Sequence, residues 1–80
     1  MTPQFAPLLA YTERQRNWAR DVRLRLYTGL VLHFGAQHRA LIIQECNRFT
    51  RWDEWALYQS STRDLVKERV QEALKRVTQA

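Results

Sequence analysis

Between Val22 and Phe34 the apolar residues fall on alternate positions: Val22, Leu24 and Leu26, then Leu30, Leu32 and Phe34, on either side of Tyr27-Thr28-Gly29. Alternation is the side-chain period of a β-strand, whose successive residues point to opposite faces. A three-residue hairpin loop commonly closes on a left-handed glycine, and Gly29 stands at that third place. In this register Leu26 faces Leu30, Leu24 faces Leu32 and Val22 faces Phe34, while Arg23, Arg25, Val31 and His33 share the other face. The pattern predicts a β-hairpin over about residues 22–34. A helix through the same stretch would carry Trp18, Val22, Leu26, Leu30 and Phe34 on one side. Arg16 and Arg23 would then fall within that side, and Leu24, Val31 and Leu32 would face away. The strand wastes fewer apolar groups and is preferred.

Before this stretch, Thr12 and Gln15 fit a capping box, in which the two side chains satisfy exposed amides at a helix start. They predict a helix from Glu13 to about Asp21, with Trp18, Ala19 and Val22 on one side and Arg14 and Arg20 on the polar side. Residues 1–11 form an apolar arm, in which Pro3 and Pro7 discourage a long helix. Phe5, Leu8, Leu9 and Tyr11 are too many apolar groups for a solvated tail, so the arm is expected to pack on its own core or on a partner.

After Gly35, Ala36 to Phe49 reads as a helix with Ile42, Cys46 and Phe49 along its buried stripe, beside Ala36 and Ile43. Thr50 and Asp53 repeat the capping signal, and Trp52-Asp53-Glu54-Trp55 opens a further helix whose early acids suit its positive end. Ser60-Ser61-Thr62 prefers caps and predicts a break. From Thr62, Val66, Val70, Ala73 and Val77 recur at helical spacing beside Leu65 and Leu74 and predict a last helix, with Glu72 and Arg76 placed to pair. The expected architecture is α+β: a short N-terminal helix, the hairpin, then two or three helices packed on its apolar face. An all-α bundle is the alternative.

Eighty residues make one domain with a core only just large enough to stand alone. A hydrophobic content of 45% and a charged content of 26% belong to globular rather than disordered chains. No apolar run reaches the roughly 18 residues of a membrane span, so no membrane partner is expected. A single cysteine, Cys46, and the lack of a basic leader point to a reducing cytoplasm. The net charge of +5 is concentrated: the first forty residues hold six arginines against two acids, most of them between Arg14 and Arg25. Such a field draws anionic partners, and arginine forks suit carboxylate or phosphate.

Catalytic groups are scarce. His33 and His38 are the only histidines, and His38 lies eight residues from Cys46, ~12 Å along a helix and too far for a thiolate–imidazole pair. There is no HExxH or CxxC spacing, no phosphate-binding glycine loop and no nucleophile elbow. We therefore expect no enzyme, no metal and no cofactor, and read Cys46 as a core residue. Two constellations remain. Arg51, Trp52, Trp55 and Tyr58 combine the residue types enriched at protein-binding hot spots. Arg14, Arg16, Arg20, Arg23 and Arg25 could grip phosphates without reading sequence. The expected function is a small regulatory or adaptor protein that binds another protein through the Trp/Arg surface; a nucleic-acid-binding module is the alternative. A homodimer is also expected, because the second strand of a lone hairpin leaves an unprotected edge.

Overall fold

A computed structural model describes residues 5–56 and 59–79. In it, the helix that Thr12 caps continues past Asp21 and runs unbroken as α1, Glu13–Phe34. The capping box forms as the sequence predicts. The Thr12 hydroxyl accepts from the Gln15 amide at 3.1 Å, and the Gln15 side-chain oxygen accepts from the Thr12 amide at 3.1 Å. At the far end Gly35 takes φ 109° and donates its amide to the Val31 carbonyl at 2.8 Å. A side chain there would be strained, and a Cβ would lie 2.5 Å from the Gln37 side chain. Gly35 is thus the stop signal, whereas Gly29 sits inside the helix.

The α+β expectation is therefore overturned: the described residues form a small all-helical fold, and the predicted hairpin over 22–34 is the second half of α1. The stripe that α1 turns inward is Ala19, Val22, Arg23, Leu26, Tyr27, Leu30, Val31 and Phe34, each buried or packed against the core. Steps of three and four residues are those of one helical face. The apparent alternation arose because Leu24 and Leu32, which a strand would have buried, are exposed on α1. Arg23 was counted against the helix, yet it occupies the middle of the buried face. A homodimer sealed along a strand edge loses its ground, since no strand edge exists among the described residues and Val31 packs inward.

A short 3-10 turn, Ala36–His38, leads into α2, Arg39–Cys46, which ends earlier than the sequence suggested. Ile42 and Cys46 are fully buried, while Ala36 is exposed. Next comes α3, Trp52–Ala56, and then α4, Gln59–Gln79. The predicted break does not fall at Ser60-Ser61-Thr62: α3 ends at Ala56 and α4 opens at Gln59, so all three lie in the first turn of α4. The Thr62 hydroxyl donates to the Glu54 carbonyl, which ties α4 to α3. Val66 and Val70 are fully buried, but Val77 is 70% exposed, so the apolar stripe of α4 meets the core only as far as Leu74.

The apolar arm packs on its own chain as a strap. Leu8 is buried, and the Leu9 amide donates to the Thr50 carbonyl at 2.7 Å while the Leu9 carbonyl accepts from the Trp52 amide at 2.9 Å. Nearer the start, the Ala6 amide donates to Asn47 Oδ1 at 2.9 Å and the Ala6 carbonyl accepts from the Arg23 guanidinium at 2.9 Å. That guanidinium also lies 4.4 Å from the centre of the Phe5 ring, which meets Tyr27 edge-on at 5.4 Å.

Two substitutions test this account. Gly29→Ala places its Cβ in open space on a helix interior and should raise unfolding stability by ~0.5–1 kcal/mol in urea titration; a hairpin turn would predict the opposite sign. Arg23→Ala removes a buried charge-assisted hydrogen bond and a ring contact, and should destabilise by about 2–4 kcal/mol. Amide exchange should show residues 5–9 losing protection ahead of α1.

Candidate functional site

The end of α2 determines how the two neighbouring tryptophans divide their work. Past Cys46 the chain turns, and the extended pair Phe49-Thr50 runs alongside the strap before α3 begins. Trp55 points into the bundle with no exposed surface. Its indole N–H donates to the Phe49 carbonyl at 2.8 Å, and its ring meets Phe49 edge-on at 6.1 Å. The polar tip of a buried indole is thereby satisfied. Trp52, three residues earlier, is half-buried and stands as a ridge between two surface grooves. One groove, of about 360 Å³, is lined by Leu9, Ala10, Tyr11, Arg51 and Asp53 together with Trp52. The other, of about 640 Å³, runs between Trp52 and the start of α1 and is lined by Thr12, Arg14, Gln15 and Trp18.

The ridge and its flanks expose large apolar groups. Tyr11 is 92%, Leu9 66% and Trp18 50% exposed. Two cations edge them. Arg51 is held by Asp53 at 2.9 Å, whereas Arg14 has no carboxylate within 4 Å among the described residues. The backbone that carries these groups is fixed on three sides, by the Leu9 hydrogen bonds, the Thr12 cap and the Trp55 plug.

Of the four residues picked as a protein-binding edge, Arg51 and Trp52 belong to this surface. Trp55 lies in the core, and Tyr58 lies outside the described residues. The sequence reading placed both tryptophans on the binding edge; the structure leaves Trp52 there and buries Trp55. Leu9, Tyr11 and Trp18 were missed as surface groups. Their signal was present as apolar residues in a proline-bearing arm and a tryptophan one step off the α1 stripe.

The five arginines of α1 do not form one face. Arg23 is buried against the strap, and burial lowers its pKa from the ordinary arginine value. Arg14 and Arg25 lie eleven residues apart on one side, while Arg16 and Arg20 lie one turn apart on another. All four are exposed.

Nucleophilic and metal chemistry find no assembled groups among the described residues. His33 is exposed against the Phe34 ring at 4.6 Å, and no cluster of three or more His, Cys, Asp or Glu side chains could hold a metal ion. Cys46 is fully buried, and burial pushes its thiol up to about 12, outweighing the nearby Arg23 charge that pulls it down. No described helix is long and apolar enough to cross a membrane. No family model matches the chain, and neither does any curated protein or solved structure.

The buried thiol gives a signed pH prediction. Its folded pKa lies above the unfolded value of roughly 8.5, so the unfolded chain releases this proton first. The stabilising contribution is complete below pH ~8.5 and is lost as pH rises toward about 12. Stability should fall along that limb at up to ~1.4 kcal/mol per pH unit. Cys46→Ala should flatten the limb in chemical denaturation curves, and iodoacetamide should label the wild-type thiol rapidly only in denaturant.

Proposed function

We propose that this chain is a non-catalytic regulatory or adaptor module that grips a protein partner across the Trp52 ridge. The observation that carries the reading is the Trp52 ridge itself, which separates two grooves edged by exposed Tyr11 and half-exposed Trp18, with Arg14 and Arg51 at the rim. Exposed aromatic groups gathered in one patch mark interaction sites, and Trp, Tyr and Arg dominate binding energy where water is excluded. The complementary partner is a segment with apolar side chains for the two grooves and a carboxylate for Arg14. Rigid aromatics on a strapped backbone lose little entropy on binding.

Capture from a nuclease-treated native extract tests this reading. Tyr11→Ala combined with Trp18→Ala should reduce recovery of specifically bound protein by roughly thirtyfold, the equivalent of one hot spot of ~2 kcal/mol. Arg63→Glu with Lys67→Glu, which line neither groove of the ridge, should leave recovery unchanged. Equal capture by both variants would refute the ridge as the binding surface.

A nucleic-acid-binding reading draws support from Arg14, Arg16, Arg20 and Arg25, all exposed and without a carboxylate within 4 Å among the described residues. Its signature is retention on DNA and heparin with log K falling against log salt at a slope near −0.9 per phosphate contacted. Elution from both below ~0.1 M salt would remove it.

A further inference from the structure

A second concave site lies between α1 and α4, and its chemistry differs from that of the ridge. Arg25, Gly29 and His33 follow one another at four-residue steps on α1, and Arg63 and Lys67 do the same on α4. The two rows border a groove of about 340 Å³ with Leu26 and Leu30 beneath it. Among the described residues no acid lines it, and Arg25, Arg63 and Lys67, like most cations of the chain, have no carboxylate within 4 Å. All three are exposed, so solvent screens their mutual repulsion, and an anion placed between them would be attracted by each. Gly29 contributes to the hollow as well: a Cβ on it would meet nothing within 4 Å. A glycine in mid-helix costs about 0.5–1 kcal/mol relative to alanine, and here it keeps the space between the cations open.

We propose that this groove binds a small phosphomonoester. A carboxylate brings one negative charge and two oxygens. A phosphate monoester brings roughly −1.5 to −2 charge and three strong acceptors, matched to two guanidinium forks, an ammonium and an imidazole. The volume suits a small molecule, and the two leucines favour one whose phosphate carries a compact apolar body. Gly29 lies ~16 Å along the helix axis from Trp18, so the site is separate from the ridge and does not depend on the protein-binding reading.

The test is an amide-resolved NMR titration of the full chain at constant ionic strength. Phenyl phosphate, inorganic phosphate, benzoate and a ten-residue oligothymidylate serve as probes. Phenyl phosphate should give saturable shifts centred on Gly29, His33, Arg63 and Lys67, and should bind more tightly than benzoate. Arg63→Glu with Lys67→Glu should weaken it by roughly tenfold or more. Gly29→Leu keeps every charge but fills the hollow, and should weaken phenyl phosphate by roughly fivefold or more while helix content by circular dichroism stays unchanged. Tyr11→Ala with Trp18→Ala should have no effect on it. Non-saturable shifts, equal affinity for benzoate, or insensitivity to Gly29→Leu would overturn the proposal. So would oligothymidylate binding through these residues without phenyl phosphate binding, because the cations would then belong to a track for a polyanion backbone.

Discussion

A guanidinium buried in an 80-residue chain is the constraint on which the remaining geometry rests. Arg23 sits in the middle of the inward face of α1, where an unpaired charge would be costly. The Ala6 carbonyl and the Phe5 ring supply the compensation, and both belong to the N-terminal strap. The strap is therefore required by the helix it crosses, and the helix by the strap. Ala6 extends the linkage through Asn47, and Leu9 extends it through the backbone of Thr50 and Trp52. One polar side chain thus couples the first described residues to the junction between α2 and α3.

The candidate binding ridge follows from this coupling. Leu9 and Tyr11 stand beside Trp52 because the strap is pinned there, and Trp18 reaches the same surface because α1, capped by Thr12, begins immediately after it. Trp55 holds the other side of the junction through its bond to the Phe49 carbonyl. No single element carries the ridge, whose residues come from the strap, α1 and α3. Its shape is consequently as stable as the packing beneath it, and loss of Arg23 would loosen the ridge without touching any residue in it.

Charge is divided between structure and surface. Glu45 is buried and takes Arg48 at 2.9 Å and Arg69 at 3.9 Å, joining α2 to α4. With Thr62 and Glu54, this gives the α4 side its polar ties. Other cations have no carboxylate within 4 Å among the described residues, including Arg14 at the ridge, Arg16 and Arg20 on another side of α1, and Arg25, Arg63 and Lys67 at the groove. Part of the net charge of +5 thus borders the grooves, and the rest lies on exposed helix faces. The ridge sets Arg14 and Arg51 among exposed aromatic groups; the groove combines Arg25, Arg63 and Lys67 with His33, Gly29 and two leucines.

Local signals in the sequence determined much of the helical outline. The Thr12–Gln15 box and the Val66–Val70 stripe each depend on residues within a turn or two of one another, and each is found in place, whereas Gly35, read as the end of a hairpin, ends α1. Residue type alone pointed to Arg51 and Trp52, which the structure places at the surface, and equally to Trp55, which it buries. What sequence could not decide was the stretch from Val22 to Phe34, where apolar residues satisfy a period of two and a helical stripe at once. The choice depended on whether Arg23 could be buried, and its partner Ala6 lies seventeen residues away. The different placement of Trp52 and Trp55 has a similar cause, since the strap reaches the α2–α3 junction through the Ala6–Asn47 and Leu9 pairings. The two grooves needed α4 and the strap folded back against α1. Periodicity reports which face of an element is apolar, but only tertiary packing supplies the distant carbonyl or ring that makes a buried polar group affordable.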